Sequence, residues 1–324
     1  MKLRVRLLLG LVCGLGLAAF CLAQRADSAP RGFPSPPPQA SDAAEIPTIQ
    51  VNVNLVNVFV TVLDEKNAPV AGLKQEDFTL YEDGHPEKIA IFERESQLPL
   101  SIVLAIDSSL STRKDLALEL ESARRFARAM VRPVDRVAVY QFSEMVEEVV
   151  PFTADPQVID RGIRGIHAGG ATAMYDAIYL ASDALRDQRG RKVLVIITDG
   201  GDTISKVKYQ EALRAAQQAE ATVYSIIVVP VQADAGRNIG GEHALIQLSG
   251  DTGGKHYYAA SIANLDRAFH QISDELRTQY RLAYYPARRV ADSDFRRIAV
   301  DVQAADAGKL RARHRTGYYT SKFK

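Results

Sequence analysis

The sequence predicts an α/β protein with a doubly wound, mostly parallel sheet and a smaller β-sandwich-like domain made from both ends of the chain. Between residues 98 and 277, short apolar runs alternate with segments of helical periodicity. Residues 48–97 and 278–324 instead alternate apolar and polar residues with period two, as strands with one buried face do. Alternating strands and helices are typical of parallel sheets covered on both faces, and 324 residues suffice for two domains.

The first 23 residues are predicted to be a secretory signal peptide. Lys2, Arg4 and Arg6 precede an apolar run from Leu7 to Leu22, and Ala23 offers a small residue for cleavage. An uncleaved membrane anchor is the alternative, disfavoured because the apolar run is short for a bilayer span. We therefore expect a secreted or periplasmic protein, followed at residues 24–47 by a proline-rich linker that is extended and solvated.

Composition excludes several classes of function. The formal net charge of +1 argues against a nucleic-acid binder, which needs a basic surplus to neutralise phosphates. No apolar stretch beyond the predicted signal is long enough for a transmembrane helix. Both cysteines, Cys13 and Cys21, lie inside that signal, so the exported chain is expected to have no disulfide, thiolate metal site or cysteine nucleophile.

The two terminal β segments are expected to complete one another. Neither has enough apolar residues to bury a good core alone, because small units bury too little surface. We therefore predict that they pack into one small sandwich, with residues 98–277 emerging from it. The predicted strands are Ile49 to Leu63, Val70 to Leu73, Phe78 to Tyr81, Lys88 to Phe92, Tyr280 to Tyr285, Arg297 to Val302 and Arg311 to Tyr319.

The central region reads as a doubly wound, Rossmann-like sheet. Val193 to Ile197 and Val223 to Val229 are apolar almost throughout, as parallel strands buried on both faces should be. The other predicted strands are 102–106, 136–142, 146–151 and 256–258, and the predicted helices are 113–131, 156–166, 174–186, 208–220, 241–250 and 263–277.

Oxygen-bearing side chains follow two of these strands and precede one helix. Asp107, Ser109 and Ser111 come where the strand ending at Ile106 runs out. Thr172 follows a Gly-Gly pair at the neck of the helix that begins at Met174, and Asp199 ends another strand. The carboxyl ends of parallel strands meet at one edge of the sheet, where ligands usually bind. Such a set of oxygens suits a small hard cation.

These motifs resemble a known family. Asp107-x-Ser109-x-Ser111, Thr172 before Tyr175-Asp176-Ala177, and Thr198-Asp199-Gly200 resemble the metal-ion-dependent adhesion site, or MIDAS, of von Willebrand factor type A domains. The resemblance covers residues 98–277. More loosely, the flanking β segments, the signal and Gly317-Tyr318-Tyr319 resemble secreted acidobacterial proteins related to this family.

The resemblance implies a site and a partner. Ser109, Ser111 and Thr172 would bind Mg²⁺ directly, and Asp107 and Asp199 would hold its waters; Mn²⁺ or Ca²⁺ stays open. A position left free on the ion would accept an Asp or Glu of a partner protein, as in cell adhesion. Integrin β relatives bind an adjacent second ion through further acidic residues, but here only Asp115 is acidic, in the first turn of a helix. We therefore expect one metal ion.

Other interpretations stay open. Ser111 alone could be a helix N-cap, and Thr198-Asp199-Gly200 alone could be a plain turn. A metal-dependent hydrolase is the main alternative function, although no recognisable nucleophile or catalytic motif accompanies the site. A structural envelope protein stiffened by its metal is a third. His167 and Tyr175 could reach the rim of the site, but a solvated loop histidine and a packed tyrosine explain them as well. We therefore expect a binding protein, not an enzyme.

Overall fold

The structure, a computed structural model, describes residues 55–94, 98–110, 112, 116–130, 132–229, 238–288, 295–304 and 308–320. The predicted signal peptide (residues 1–23) and linker (residues 24–47) lie outside these ranges. No helix in the described part of the chain combines the length and the apolar character needed to cross a bilayer.

The described strands belong to two regions of the molecule, six of them to a central sheet and the others to two terminal sheets. In chain order they are β1 (Val56–Leu63), β2 (Phe78–Glu82), β3 (His85–Glu87), β4 (Ile89–Glu93), β5 (Leu100–Asp107), β6 (Arg136–Phe142), β7 (Val146–Thr153), β8 (Arg191–Thr198), β9 (Ala221–Val228), β10 (His256–Ala259), β11 (Tyr280–Tyr284), β12 (Phe295–Val302), β13 (Arg311–Arg313) and β14 (Gly317–Tyr319). The helices are α1 (Leu116–Met130), α2 (Pro156–Arg164), α3 (Met174–Arg186), α4 (Tyr209–Ala219), α5 (Ile239–Asp251) and α6 (Ile262–Thr278).

The central domain is a six-stranded sheet in the order β10-β9-β8-β5-β6-β7. Every neighbouring pair is parallel except β6 and β7, which are antiparallel. All eight residues of β5 are buried, because this middle strand is covered by helices on both faces. The apolar residues of α1, α2 and α6 pack on one face, and those of α3, α4 and α5 pack on the other. The predicted doubly wound sheet is confirmed.

The two ends of the chain form two further antiparallel sheets. Their strand orders are β13-β1-β11-β4 and β14-β12-β2-β3, so each sheet mixes strands from before and after the central domain. Val56, Val58, Val60 and Val62 of β1 point inward and join one buried core with residues of β2, β11 and β12. The predicted β-sandwich-like part is therefore present, whereas the domain boundaries at residues 97/98 and 277/278 stay predictions.

Two terminal segments differ from the predicted strands. Val70 to Leu73 forms no strand, because its backbone is satisfied by other groups: the Val70 N–H donates to the Val62 carbonyl (2.8 Å), and the Tyr280 hydroxyl accepts from the Leu73 N–H (3.0 Å). Residues 311–319, predicted as one strand, form two. β13 pairs with β1 and β14 pairs with β12, so the segment crosses from one sheet to the other.

A buried polar cluster joins the central domain to the sandwich. The Glu275 carboxylate on α6 accepts hydrogen bonds from the Tyr224 hydroxyl on β9 (2.7 Å) and the Thr61 hydroxyl on β1 (3.2 Å). It also forms an ion pair with Arg313 of β13. Gln279 follows α6 and donates to the Thr61 hydroxyl (2.8 Å). The cluster therefore ties one helix of the central domain to two strands of the sandwich.

His314 holds the crossing between β13 and β14 in place. The Val300 N–H of β12 donates to His314 Nε2 (3.2 Å), so the neutral ring carries its proton on Nδ1 and donates to the Arg315 carbonyl (2.7 Å). Burial lowers the pKa of His314, and the positive charge of Arg315 lowers it too, while Asp301 and the bond to the Arg315 carbonyl raise it. Protonation of Nε2 would remove the acceptor that Val300 uses.

Candidate functional site

The candidate site lies at the carboxyl edge of the central sheet, where β5 and β8 end side by side. Ile106 of β5 pairs with Ile197 of β8, so Asp107 and Thr198 are the next residues at the same level. The parallel register brings these two strand ends together although they are 91 positions apart in the chain. Both side chains are fully buried.

Asp107 is a buried carboxylate held by neutral donors. Its Oδ2 accepts from the Thr198 hydroxyl (2.6 Å), and its Oδ1 accepts from the Ser109 N–H (2.9 Å). Burial raises the pKa of Asp107 to about 6; hydrogen bonds from Thr198 and Ser109 lower it, and the negative charge of Asp199 raises it. The carboxylate is therefore fixed in direction but costly to keep charged without a cation.

The turn after β5 is built around backbone carbonyls. The Thr112 hydroxyl donates to the carbonyls of Asp107 (3.2 Å) and Ser109 (3.0 Å), which curls the chain tightly after the strand. Ser109 is only 1% exposed at this turn. Ser111, the third residue of the motif, and Asp115 lie outside the described residues, so their predicted roles stay predictions.

The loop before α3 is hydrogen-bonded to this turn. The Gly169 N–H donates to the Ser108 carbonyl (2.7 Å), and the Leu110 N–H donates to the Gly170 carbonyl (3.0 Å). Thr172 follows in the same loop and is buried, 4% exposed. The two backbone bonds therefore carry Thr172 to the edge where Asp107 lies.

Asp199 approaches Thr172 from the end of β8. Its Oδ1 accepts from the Gly201 N–H (3.0 Å). A Cβ atom added at Gly201 would lie 3.2 Å from that same Oδ1 and 4.0 Å from the Thr172 hydroxyl oxygen, so both oxygens border one small space. Gly200, which lies between Asp199 and Gly201 in the chain, has φ of +84° and packs closely against Gly241 of α5. The turn after β8 is thus fixed by the bond between Asp199 and Gly201 and by the contact of Gly200 with α5.

Asp202 and Ser205 brace the site, and sequence reasoning gave them no role. Asp202 Oδ1 accepts from the Met174 N–H (2.8 Å) at the start of α3 and from the Ser205 hydroxyl (2.5 Å). The Thr203 N–H donates to the Thr172 carbonyl (2.8 Å). These bonds fasten the loop after β8 to the loop before α3. The available signal was a second acidic residue in the turn after Asp199.

Asp176, part of the motif, also has a bracing role. Its carboxylate accepts from the backbone N–H groups of Lys206 (3.0 Å) and Val207 (2.8 Å), further along the loop after β8. His167 is exposed on the loop before α3. Tyr175 is half-buried with its ring edge-on to Tyr209 at 6.0 Å, and burial raises the pKa of its hydroxyl. This packing favours the interpretation of Tyr175 as a structural residue.

The donor set fits a divalent cation that binds oxygen. Asp107 and Asp199 face each other's charge, and neither forms an ion pair with a basic side chain in the described ranges. Within the same ranges, no group of three or more His, Cys, Asp or Glu side chains is arranged to hold a metal. Among the described residues, the donors at this edge are the carboxylates of Asp107 and Asp199 and the hydroxyls of Ser109 and Thr172. Oxygen ligands of this kind suit Mg²⁺ better than a transition metal.

Solved structures with similar folds have low sequence identity to this chain. A von Willebrand factor type A protein from Catenulispora acidiphila is 13% identical, with 82% of this chain and 75% of that chain covered and a TM-score of 0.48. BatB from Bacteroides thetaiotaomicron is 18% identical (55% and 100% covered, TM-score 0.45). The vWF domain of the type V pili tip protein Mfa5 from Porphyromonas gingivalis is 14% identical (55% and 95%, TM-score 0.46).

No curated protein sequence matches the chain significantly. The family model of the von Willebrand factor type A domain does match, over residues 102–201. This range runs from β5 to the turn after β8 and includes all five candidate metal-binding residues. The sheet order and the flanking helices agree with this match, so residues 102–201 of the central α/β domain are similar to the von Willebrand factor type A domain.

Proposed function

We propose that this chain is an exported, non-enzymatic adhesion module that uses one Mg²⁺ ion to capture an acidic side chain of a partner protein. Ser109, Ser111 and Thr172 would be the direct ligands, and Asp107 and Asp199 would orient waters. When bound, the ion would supply an electrophilic position that a carboxylate of the partner can occupy.

The observation that supports this best is the burial of the Asp107 carboxylate beside Asp199 at the sheet edge, without an ion pair to any described basic side chain. Asp107 is completely buried, and the donors to its carboxylate among the described residues, Thr198 and Ser109, are neutral. Burying an isolated carboxylate is unfavourable unless a cation or several hydrogen bonds compensate it. A second carboxylate, Asp199, adds repulsion. A divalent cation would relieve both costs, because it offers two positive charges between the two acids.

The chain's own residues explain why such a site would bind rather than react. Thr198 fixes the direction of the Asp107 carboxylate, and Asp202 and Thr203 fix the loop that carries Thr172. Neutral hydroxyl ligands leave the charge of the ion largely unquenched, so its attraction for an incoming carboxylate stays strong. His167, the histidine nearest in sequence to the Thr172 loop, is exposed.

Titration calorimetry with MgCl₂ and MnCl₂ tests the metal site. We expect one ion per chain for the unaltered protein and at least about tenfold weaker binding for Thr172→Ala, which removes a ligand but no charge. Asp183→Ala is the matched control, because Asp183 is exposed on α3 and its ion-pair partner among the described residues is Arg186. Equal affinity for the Thr172→Ala variant would contradict the assignment.

Capture of a partner is tested separately. Proteins retained by the immobilised chain from the exported fraction should elute with EDTA and should not be retained by Thr172→Ala. The same metal-loaded chain should show no turnover of generic phosphoester or carboxyl-ester substrates. Magnesium-dependent turnover that Thr172→Ala abolishes would instead support the hydrolase alternative. Strong stabilisation by the metal without any EDTA-eluted partner would support a structural role.

A further inference from the structure

Exposed apolar side chains surround the candidate metal site. Ten large apolar side chains of the described residues are at least 36% exposed, and four of them lie at this edge of the central sheet, three on loops and one at the start of α5. We call these four the apolar rim: Leu110 (61% exposed), Met145 (65%), Ile204 (45%) and Ile239 (63%). Single exposed apolar residues need no explanation, but several around one site indicate a contact surface.

Two members of the rim belong to the backbone network that holds Thr172. Leu110 lies in the turn after β5, and its N–H donates to the Gly170 carbonyl (3.0 Å) two residues before Thr172. Ile204 lies in the loop after β8, and its N–H donates to the Thr172 carbonyl (3.2 Å). The backbones of Leu110 and Ile204 are therefore fixed close to Thr172, a candidate ligand of the ion.

The other two members lie on elements that pack against the same loops. Met145 is in the turn between β6 and β7, which approaches the loop before α3 so closely that a Cβ at Gly169 would lie 2.3 Å from the Ser143 hydroxyl oxygen. Ile239 begins α5, whose Gly241 contacts the Gly200 carbonyl beside Asp199. The rim thus draws one apolar residue from each of four separate segments.

The charges among these residues are mostly negative. Glu144, next to Met145, accepts from the Gly170 N–H (2.7 Å), a bond that lowers its pKa and keeps it ionised. Asp199 and Asp202 add negative charge from the loop after β8. Lys206 is exposed further along that loop. A partner with several acidic residues in a row would meet repulsion from the carboxylates of Glu144 and Asp202 beside a bound cation.

We propose that the segment recognised at this site carries a single Asp or Glu flanked by aliphatic or aromatic side chains, which contact the apolar rim. This rests on the proposed function, because the acid is placed by the metal ion. The rim supplies the apolar contacts that bury around the central acid, as in interfaces where apolar anchors surround one polar contact. The chain then distinguishes partners by the neighbours of the acid and rejects acidic runs.

Selection from a phage-displayed library of random dodecapeptides tests this. Phage are bound to the immobilised full-length exported chain in Mg²⁺ and released with EDTA. We expect released clones to be enriched in one Asp or Glu with Leu, Ile, Val, Met or Phe beside it, and depleted in adjacent acids. Binding of such clones should fall about tenfold for Leu110→Ser or Met145→Ser, as expected when one exposed apolar contact is lost.

Two controls separate the rim from the metal site. Leu180→Ser replaces a similarly exposed apolar residue of α3 (43% exposed) outside the rim and should leave clone binding unchanged. Calorimetric Mn²⁺ affinity should be the same for Leu110→Ser, Met145→Ser and the unaltered chain. EDTA-released clones without an apolar preference, or with acidic runs, would overturn the rim proposal and leave metal capture standing. A chain that binds no divalent ion would overturn the proposed function itself.

Discussion

Replacing Glu275 by alanine should strongly destabilise the whole described unit, because this carboxylate links the central domain to the sandwich. Glu275 is 4% exposed and is shared by Tyr224 of β9, Thr61 of β1 and Arg313 of β13. Alanine removes the ion-pair partner of Arg313 and the acceptor of both hydroxyls at once. All three groups would be left in a region that water reaches poorly.

The magnitude follows from these contacts. Removing one partner of a buried ion pair costs about 3–5 kcal/mol, because the other charge is left uncompensated. Two hydroxyls that lose their acceptor add about 1 kcal/mol each. The Arg313 side chain keeps 17% exposure and is partly solvated, so we take the lower part of the combined range. The expected loss is about 5–6 kcal/mol, a large share of the roughly 5–15 kcal/mol that stabilises typical proteins.

Urea unfolding followed by far-UV circular dichroism measures this loss at constant pH. The matched control is Asp183→Ala, which breaks an exposed ion pair with Arg186 and should cost at most about 1 kcal/mol. The double variant Glu275→Met with Arg313→Met should recover most of the stability, because an apolar pair replaces the charged one without leaving a lone charge. A loss below about 1 kcal/mol for Glu275→Ala would refute the argument.

Three further predictions concern acidity and close packing. Folding lowers the pKa of His314, so the stabilisation by the neutral ring is intact above pH 6.5, and the free energy of unfolding should fall as pH decreases below that value. Urea titrations at several pH values should show a shallower fall for His314→Gln. Burial raises the pKa of Asp107 to about 6, so the free energy of unfolding of the metal-free chain should fall by up to about 3 kcal/mol as pH rises from 4 to 7. In thermal melts, Asp107→Asn should therefore be more stable than the metal-free parent at pH 7 and equally stable near pH 4. Mg²⁺ should not change its melting temperature. A Cβ at Gly241 would lie 1.5 Å from the Gly200 carbonyl oxygen, so Gly241→Ala should lower both the melting temperature and Mn²⁺ affinity, whereas Gly250→Ala, with nothing within 4 Å in the same helix, should leave affinity unchanged.

The sequence was most informative where a single local pattern decides the outcome. The apolar runs at β5, β8 and β9 identified buried parallel strands, and strands of this kind place their carboxyl ends at one edge. That is why the sequence alone places Asp107, Thr172 and Asp199 at one edge. The helix α3, Met174–Arg186, was predicted with its observed ends.

Contacts that depend on the path of a loop could not be read in this way. Asp202 reaches the start of α3 only because the loop after β8 folds back over it, and nothing local in the sequence specifies that path. The Thr198 hydroxyl bonds Asp107 because of the register between β5 and β8. Residues 311–319 show one period-two pattern, which cannot reveal that the segment changes sheets at His314.

The Glu275 cluster lies between these cases. Helix α6 buries Leu265, Phe269, Ile272 and Leu276 on one face, and Glu275 shares that face. A carboxylate on the apolar face of an amphipathic helix is a readable sign of a buried polar partner. Its partners, however, come from β1, β9 and β13, which are distant in sequence, so only the need for a partner could have been predicted.

The pairing of β4 with β11 makes the whole α/β domain equivalent to the loop of a hairpin. Glu93 lies opposite Arg281, and their side chains form an ion pair at 2.8 Å, although almost the entire central domain separates them in the chain. Insertions are tolerated where the ends of a segment lie close together. The central domain can therefore be regarded as an insertion between β4 and β11. The same eight strands could carry a different inserted domain without any change in their own pairing.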